Sequence, residues 1–218
     1  MSSNTIELEA IQQAFETLRR VKETFAARGW FPATSGNLSL RIKTDHQDRN
    51  RSLIAVTVSG KDKSVHTPTD FLVVDLEGKP AAASQLKPSA ETLIHTALYQ
   101  KVSKCAAVFH VHTVSNSLVS ELYKHRGGVT FKGHELIKAF DIWEEGASIT
   151  VPIVENYACI PTLAAEICKV LDSRVPGVLI RNHGIYVWGE SEFAAKRHLE
   201  AFEFLFDYHV KLLILSKN

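Results

Sequence analysis

Ala107-Val-Phe-His-Val-His112 is the most informative stretch of this 218-residue sequence. Its apolar residues predict a strand in the interior of a sheet. Residues i and i+2 of a strand point to the same face, so His110 and His112 project together while Phe109 and Val111 point to the opposite face. Two adjacent imidazoles suit a divalent metal such as zinc, although two partly buried structural histidines are an alternative interpretation of the same pattern.

A third histidine lies in Arg181-Asn-His-Gly-Ile185, a tight connection between two very apolar predicted strands. We expect Gly184 to permit the turn that aims His183 out of the end of the sheet. A simple turn histidine is the alternative. Together with His110 and His112, His183 would complete a three-ligand metal site with an open coordination position.

The elements around these histidines predict an α/β fold in one domain over residues 1–218, with a central mixed, mostly antiparallel sheet covered by helices on both faces. Ser89 is expected to cap a helix, Pro152 indicates an edge strand or a bulge, and residues 44–51 are expected to form a polar hairpin tip. Helices are predicted near 11–25, 89–104, 113–123, 133–140, 161–171 and 191–215, and strands at 38–42, 53–58, 71–75, 107–112, 149–154, 177–181 and 185–188.

Composition excludes several classes of function. Lys+Arg number 25 and Asp+Glu 24, so the net charge of +1 provides no basic field for nucleic acid or an anionic membrane. Neither a signal peptide nor a membrane span is predicted. The widely spaced Cys105, Cys159 and Cys168 form no disulfide framework, and we expect buried thiols in a cytoplasmic protein.

Three turns contain small hydroxyl residues and glycine where a strand or helix begins or ends: Thr34-Ser-Gly-Asn37, Ser59-Gly60-Lys61 and Lys87-Pro-Ser89. Such turns let backbone N–H groups approach an anion closely, and Ser89 at a helix N-terminus would add the positive end of the dipole. Ordinary turns are the alternative for each piece taken alone. Neither glycine-rich nucleotide motif is present.

The remaining histidines are expected to carry no chemistry. His95 and His209 lie on predicted helices and are expected to be packed or solvated. Surface positions are expected for the four that lie in polar contexts, His46, His66, His125 and His198.

Taken in order, these motifs resemble the class II aldolase/adducin family over nearly the whole chain. The resemblance implies a class II aldolase-like fold, a sugar-phosphate substrate and a cyclic homotetramer with active sites near subunit interfaces. It implies one Zn²⁺ per subunit on His110, His112 and His183. It also implies that the phosphate is bound by the residues of the three turns, namely Ser35, Gly36, Asn37, Ser59, Gly60 and Ser89.

Within the family, the chain is most similar to a dehydratase branch that works in methionine salvage. The stretches that carry this similarity are Gly29-Trp-Phe-Pro-Ala-Thr-Ser-Gly-Asn-Leu-Ser39, Val58-Ser-Gly-Lys-Asp-Lys63, Lys87-Pro-Ser-Ala-Glu91, Gly133-His-Glu-Leu-Ile-Lys138 and Arg181-Asn-His-Gly-Ile-Tyr-Val-Trp-Gly189. A family aldolase, a pentulose-phosphate 4-epimerase and a non-enzymatic adducin-like scaffold are the alternatives.

Two carboxylates compete for the proton-transfer role that this resemblance implies. Glu91 matches the acidic residue that family aldolases use next to the metal, and Glu135 matches the acid/base of the dehydratase branch. Some dehydratases lack an acid at the position of Glu91. We therefore favour Glu135, with Glu91 as a second candidate or a neighbour of the metal. Trp30, Phe31 and Tyr157 are equal candidates for an apolar pocket beside the substrate.

Overall fold

The structure, a computed structural model, describes residues 3–42 and 52–216. The predicted hairpin tip at 44–51 and His46 lie outside the described residues. Five α-helices are present in this part of the chain: α1 Ser3–Ala27, α2 Thr92–Lys101, α3 Val114–Tyr123, α4 Ile160–Lys169 and α5 Glu192–Leu215. Eight strands accompany them: β1 Asn37–Arg41, β2 Ile54–Thr57, β3 Phe71–Val74, β4 Ala107–Val111, β5 Gly128–Lys132, β6 Ser148–Val154, β7 Gly177–Ile180 and β8 Gly184–Gly189.

The eight strands form one sheet in the order β3-β2-β1-β4-β8-β7-β6-β5. Every neighbouring pair is antiparallel except β6 and β7, which are parallel. β4 therefore lies in the middle, between β1 and β8, as its unbroken apolar character predicted. The prediction of a mixed, mostly antiparallel sheet is confirmed.

Helices cover both faces of this sheet, because each strand alternates its apolar side chains between two cores. Phe109 of β4 packs with Leu18 and Phe25 of α1 on one face, where α3 and α5 also lie. On the other face α2 and α4 pack against the sheet and each other through Leu98 and Leu163. β4 is buried on both faces, so its polar side chains are held in place by close packing.

One strand and the position of one proline differ from the sequence expectation. β5 was not predicted, although Gly128-Val-Thr-Phe-Lys132 alternates as an edge strand does. Pro152 lies on β6 between β5 and β7, so the prediction of an edge strand is wrong. The N–H of Ile153 donates toward β5, which leaves the nitrogen of Pro152 on the β7 side, where pairing begins only at Ile153.

Three local expectations are also wrong. Ser89 does not cap α2, which begins at Thr92; its hydroxyl accepts the Glu91 N–H at 3.3 Å within the preceding turn. Cys159 is exposed at the start of α4, whereas Cys105 is buried. His198 is buried rather than on the surface, because its ring packs 5.8 Å from Phe140 and its Nδ1 lies 2.9 Å from the Trp188 carbonyl oxygen.

The strand directions determine at which end of the sheet each strand finishes. β4, β6 and β7 run the same way, since β4 and β7 are both antiparallel to β8 and β6 is parallel to β7. β5 is antiparallel to β6, so its carboxyl end lies at the end of the sheet opposite to that of β4. No helix in the described residues is long and apolar enough to cross a membrane.

Candidate metal centre and active site

His110 and His112 lie at the carboxyl end of β4. His110 is fully buried, and its ring stacks on that of Tyr186 from β8, with ring centroids 4.0 Å apart. The N–H of His112 donates to the Trp30 carbonyl at 3.1 Å. The next residue, Thr113, caps α3 by accepting the Asn116 N–H, so the chain turns sharply after the second histidine. The two histidines are therefore held in place by β4 before them and by α3 after them.

His183 lies in the connection between β7 and β8. The left-handed residue of this turn is Asn182, with φ of +50°, and its side chain donates to Glu121 at 2.7 Å. The expectation that Gly184 supplies the turn conformation is therefore wrong. Gly184 is required for a different reason: a Cβ there would overlap the Val111 carbonyl oxygen and lie 2.9 Å from ring carbons of His110 and His112.

The three histidines converge as the sequence predicted. One nitrogen from each of His110, His112 and His183 lies within 4.8 Å of the others. His110 Nδ1 lies 2.9 Å from the Ile185 carbonyl oxygen, which fixes the proton on that nitrogen and leaves a lone pair on Nε2. That lone pair faces His112 Nε2 at 2.8 Å. When the proton of His112 is on Nδ1, both Nε2 atoms present lone pairs, which is the donor set that a divalent metal requires.

Glu91, at the start of α2, completes the ring of donors. Its Oε1 lies 3.1 Å from His183 Nε2 and its Oε2 lies 3.4 Å from His110 Nε2. Oε2 also accepts hydrogen bonds from Asn37 at 2.7 Å and from the Tyr186 hydroxyl at 2.9 Å. The carboxylate is therefore fixed in orientation beside the three imidazoles, and its role as a neighbour of a metal stays a prediction.

Burial and mutual repulsion determine the protonation states here. Burial lowers the pKa of His110 to about 4, and burial together with the charges of His110 and His183 lowers the pKa of His112 to about 3. Burial opposes ionisation of Glu91, but the facing His110 and His183 hold its pKa well below the usual range. At neutral pH His110 and His112 are neutral and Glu91 is ionised, which are the forms that bind a cation.

Glu91 is held in place by a chain of buried polar side chains, namely Asn37, His95 and Ser39. His95 is packed, as expected, but it also holds the site together. Its Nε2 contacts the Asn37 side-chain oxygen, and its Nδ1 lies 2.6 Å from the Ser39 hydroxyl. Burial lowers the pKa of His95 to about 4, so the ring is neutral. The sequence signal for this role was the helical spacing from Glu91 to His95, which places both on one face of α2.

The predicted phosphate turns are brought together near Glu91. Ser59 and Ser89 are neighbours, because their N–H groups donate to the carbonyl oxygens of Lys87 and Thr57 on each other's segments, at 3.0 Å each. Gly36 has φ of +72°, and a Cβ there would overlap the Phe31 ring and the His110 carbonyl oxygen. This contact packs Phe31 against the turn beneath the metal site.

Asn37 and Ser35, two residues of the first turn, differ in whether their side chains already have hydrogen-bond partners. The side-chain amide of Asn37 is engaged by Glu91 and His95. The hydroxyl of Ser35 is buried with no hydrogen-bond partner among the described residues. Phosphate binding by the six turn residues stays a prediction.

Glu135 is not brought to this site within one chain. It begins the 3₁₀ helix Glu135–Phe140, follows the carboxyl end of β5, and its exposed carboxylate contacts Lys138 at 2.9 Å. That position is at the opposite end of the sheet from His110, His112 and His183, and β5 lies four strands from β4. Any reaction that uses Glu135 with these histidines requires a second copy of the chain.

Comparison with known proteins agrees with this arrangement. Residues 16–210 match the family model for the class II aldolase and adducin N-terminal domain. The chain belongs to the class II aldolase and adducin family. Within it, the chain is 52% identical to the methylthioribulose-1-phosphate dehydratase of Bacillus subtilis (strain 168), over 96% of this chain and 98% of that protein. It is 50% identical to the dehydratase of the same name from Geobacillus kaustophilus (strain HTA426), over 96% and 97%.

Solved structures support the class II aldolase fold. The L-fuculose-1-phosphate aldolase from Thermus thermophilus superimposes with a TM-score of 0.73, covering 95% of this chain and 99% of that chain. At 21% identity this likeness shows the fold alone. The predicted fold class and family are therefore confirmed.

Proposed function

We propose that this chain removes water from 5-methylthioribulose 1-phosphate to give 5-methylthio-2,3-dioxopentyl phosphate, a hydro-lyase reaction of methionine salvage. The observation that carries the proposal is about 50% identity over nearly the full length to dehydratases of that name. In this chain the three histidines converge, and Glu91 lies beside them. Three buried or half-buried imidazoles that converge are not needed in a purely structural scaffold, which disfavours the adducin-like alternative.

We propose one zinc ion per subunit as the cofactor, held by His110, His112 and His183. The donor set fits it: His110 is oriented through its other ring nitrogen by the Ile185 carbonyl, and His183 Nδ1 lies 3.2 Å from Asn156 Oδ1. When bound, the metal supplies Lewis acidity toward the C2 carbonyl oxygen of the substrate and makes the C3 proton acidic. Glu91 adds a fixed negative charge beside the imidazoles.

The chemical step is a proton transfer by a carboxylate. Loss of the proton from C3 and of hydroxide from C4 leaves a C3–C4 double bond with the C3 hydroxyl in place. This enol then takes up a proton at C4 and releases the proton of its C3 hydroxyl, which gives the diketone. The departing hydroxide needs a proton from a general acid, so that the net product besides the diketone is one water molecule.

We propose that Glu135 of a neighbouring copy is this acid/base. The support is positional: within one chain Glu135 lies at the far end of the sheet from the histidines. It is exposed and can therefore face another subunit. Apolar side chains exposed on α3 and α5 also favour association of copies, namely Val114, Leu118, Leu122, Phe204, Leu212 and Leu215. The proposed assembly is a cyclic homotetramer.

The proposed phosphate site comprises the turns at 34–37, 59–61 and 87–89. Its support is the pairing of the second turn with the third, and the unpartnered hydroxyl of Ser35. A cytoplasmic location is proposed from the free thiols of Cys105, Cys159 and Cys168.

Sugar-phosphate aldolase activity is the second candidate, since Glu91 occupies the position expected of an aldolase acid beside the histidines. Both activities are assayed with the zinc-loaded chain and synthetic 5-methylthioribulose 1-phosphate, following diketone formation and retro-aldol products in parallel. Diketone without cleavage products supports the dehydratase. Cleavage without diketone would replace it with the aldolase.

The contribution of Glu135 from a second copy is tested by subunit mixing. Each site would take its histidines from one chain and its acid from a neighbour. Chains carrying His112→Ala and chains carrying Glu135→Gln, each inactive alone, should therefore regain about a quarter of wild-type activity when co-assembled in equal amounts. Mixed assemblies no more active than the two variants measured separately would show that Glu135 does not act between subunits.

A further inference from the structure

Lys63 joins two of the turns that the proposed function assigns to phosphate. Its Nζ donates to the Thr34 carbonyl at 2.7 Å and approaches the Lys61 carbonyl at 3.5 Å. Thr34 precedes Ser35 in the first turn, and Lys61 ends the second. One ammonium group therefore holds both turns at a fixed distance from each other.

The ammonium of Lys63 is buried without a counter-ion. The residue is 4% exposed, and no carboxylate in the described part of the chain forms an ion pair with it. The acidic groups that act on it at longer range are already engaged: Asp70 contacts Lys22 at 2.5 Å, Asp62 accepts from Ser64, and Glu91 is held in the metal centre. Burial and the charge of Lys22 lower the pKa of Lys63 to about 8. A lysine is rarely buried unless its charge is paired.

A second buried group, in the turn that Lys63 contacts, also lacks a partner in the described residues. The Ser35 hydroxyl, one residue along from the carbonyl that Lys63 contacts, is buried with no hydrogen-bond partner in the described residues. Unsatisfied buried hydroxyls are uncommon and call for a specific explanation. An anion between the turns would accept from this hydroxyl and neutralise the ammonium, so one ligand accounts for both observations.

On the basis of the proposed function, we propose that Lys63 provides the positive charge that binds the phosphate group of the substrate, and that it positions the turns at 34–37 and 59–61 around that group. The ligand chemistry is a phosphate monoester. The charge acts at the end of the substrate remote from the reacting carbons. Lys63 should therefore affect substrate binding far more than turnover.

The test measures binding of inorganic phosphate to the zinc-loaded chain by titration calorimetry. Lys63→Gln keeps an N–H donor for the Thr34 carbonyl and removes the charge, whereas Lys63→Met removes both. We expect either change to weaken phosphate binding by about 10-fold or more, because hydrogen bonds to charged groups are the strong ones. Lys104→Met, which removes an exposed lysine beyond the carboxyl end of α2 and outside the three turns, is the control and should cost less than about 3-fold.

Several outcomes would overturn the inference. Wild-type phosphate affinity in Lys63→Gln would show that Lys63 does not bind the phosphate group and only supports the turns. An equal loss in Lys104→Met would show general electrostatic attraction instead of a specific contact. Loss of phosphate binding in His112→Ala, which leaves the turns intact, would place the anion on the metal. In steady-state assays, KM should rise by about 10-fold with kcat within about 3-fold; a fall in kcat alone would contradict the binding role.

The two proposals fail separately. If the chain dehydrates the substrate but Lys63→Gln binds phosphate as the wild type does, the inference is wrong and the proposed function stands. If the wild type does not dehydrate 5-methylthioribulose 1-phosphate but the Lys63 variants still lose phosphate, the proposed function is wrong and the anion site stands.

Discussion

The Nε2 atoms of His110 and His112 lie 2.8 Å apart. The tautomer of His110 is fixed by the Ile185 carbonyl, so its Nε2 carries a lone pair and can only accept a proton or bind a cation. Burial disfavours the charged form of both rings, so without a metal a neutral His112 donates from Nε2 to this lone pair, and a bound cation would take the place of that shared proton. This relationship makes the metal centre directly testable.

Removing one of these rings should remove the metal. His112→Ala is expected to lose bound zinc and dehydratase activity together, because two imidazoles alone hold the ion far more weakly. Metal content by mass spectrometry and anomalous scattering at the site measure the effect. His125→Ala, at an exposed histidine of the same chain, is the control and should stay metallated. A fully metallated, active His112→Ala protein would disprove the ligand assignment.

The conformation of the β7–β8 turn should be as important for zinc binding as the histidines themselves. A Cβ at Gly184 would contact ring carbons of His110 and His112 at 2.9 Å, so Gly184→Ala should displace both rings and reduce zinc content. Gly128→Ala is the matched control in β5, since its Cβ would meet Thr150 at 3.0 Å far from the site. The control should lose about 1–3 kcal/mol of stability while it keeps its metal. Equal metal content in the two variants would contradict this prediction.

Glu91 and Glu135 should respond differently to neutralisation. Glu91→Gln removes the fixed charge beside His110 and His183 and should weaken zinc binding by about 10- to 100-fold, as loss of a metal-site neighbour does. Glu135→Gln should leave zinc bound and lower kcat by about 100-fold or more, the usual size of an acid–base contribution. Zinc competition with a chelator and turnover are measured on both, with the exposed Glu190→Gln as control. Near-normal turnover in Glu135→Gln would exclude Glu135 from the mechanism.

Glu203 should make the stability of the chain depend on pH. Burial raises its pKa from 4.5 to about 7, although Thr113 and Asn116 donate to it. A raised folded-state pKa means that the contribution to stability is complete below 4.5 and is lost as the pH rises through about 7.

Glu203→Gln tests this dependence, because it retains partners for Thr113 and Asn116 and cannot ionise. Relative to this variant, the wild type should lose about 1.4 kcal/mol per pH unit as the pH rises from about 4.5 to about 7, and the difference should stay constant above that. Urea unfolding at a series of pH values gives the difference. Parallel pH profiles for the two proteins would refute the assignment.

Patterns within single strands were enough to predict most of the fold and the convergence of His110, His112 and His183. β4 and the segment around His183 are short, apolar and bounded by clear turn residues, so their alternation determines which side chains share a face. β5 was missed because Gly128 and two exposed positions dilute its apolar pattern. Pro152 was misplaced because one missing N–H does not indicate whether the neighbouring strand extends that far.

The supporting groups could not be predicted because they depend on contacts between distant segments. His95 on α2 contacts Asn37 on β1. Lys63, which lies in a loop with no periodic pattern, donates to the carbonyl of Thr34 in another turn. The place of Glu135 at the far end of the sheet follows from strand direction, which local propensity does not determine. These are the relationships for which the three-dimensional structure was needed.

His112 and His183 are about 70 residues apart in the sequence, yet their ring centroids lie 4.7 Å apart. An ion bound by both would work as a removable cross-link that closes this long loop and reduces the conformational freedom of the unfolded chain. Chelation should therefore weaken the central strands as well as stop turnover. Zinc supply would then govern how long the protein survives in the cell, in addition to how fast it works.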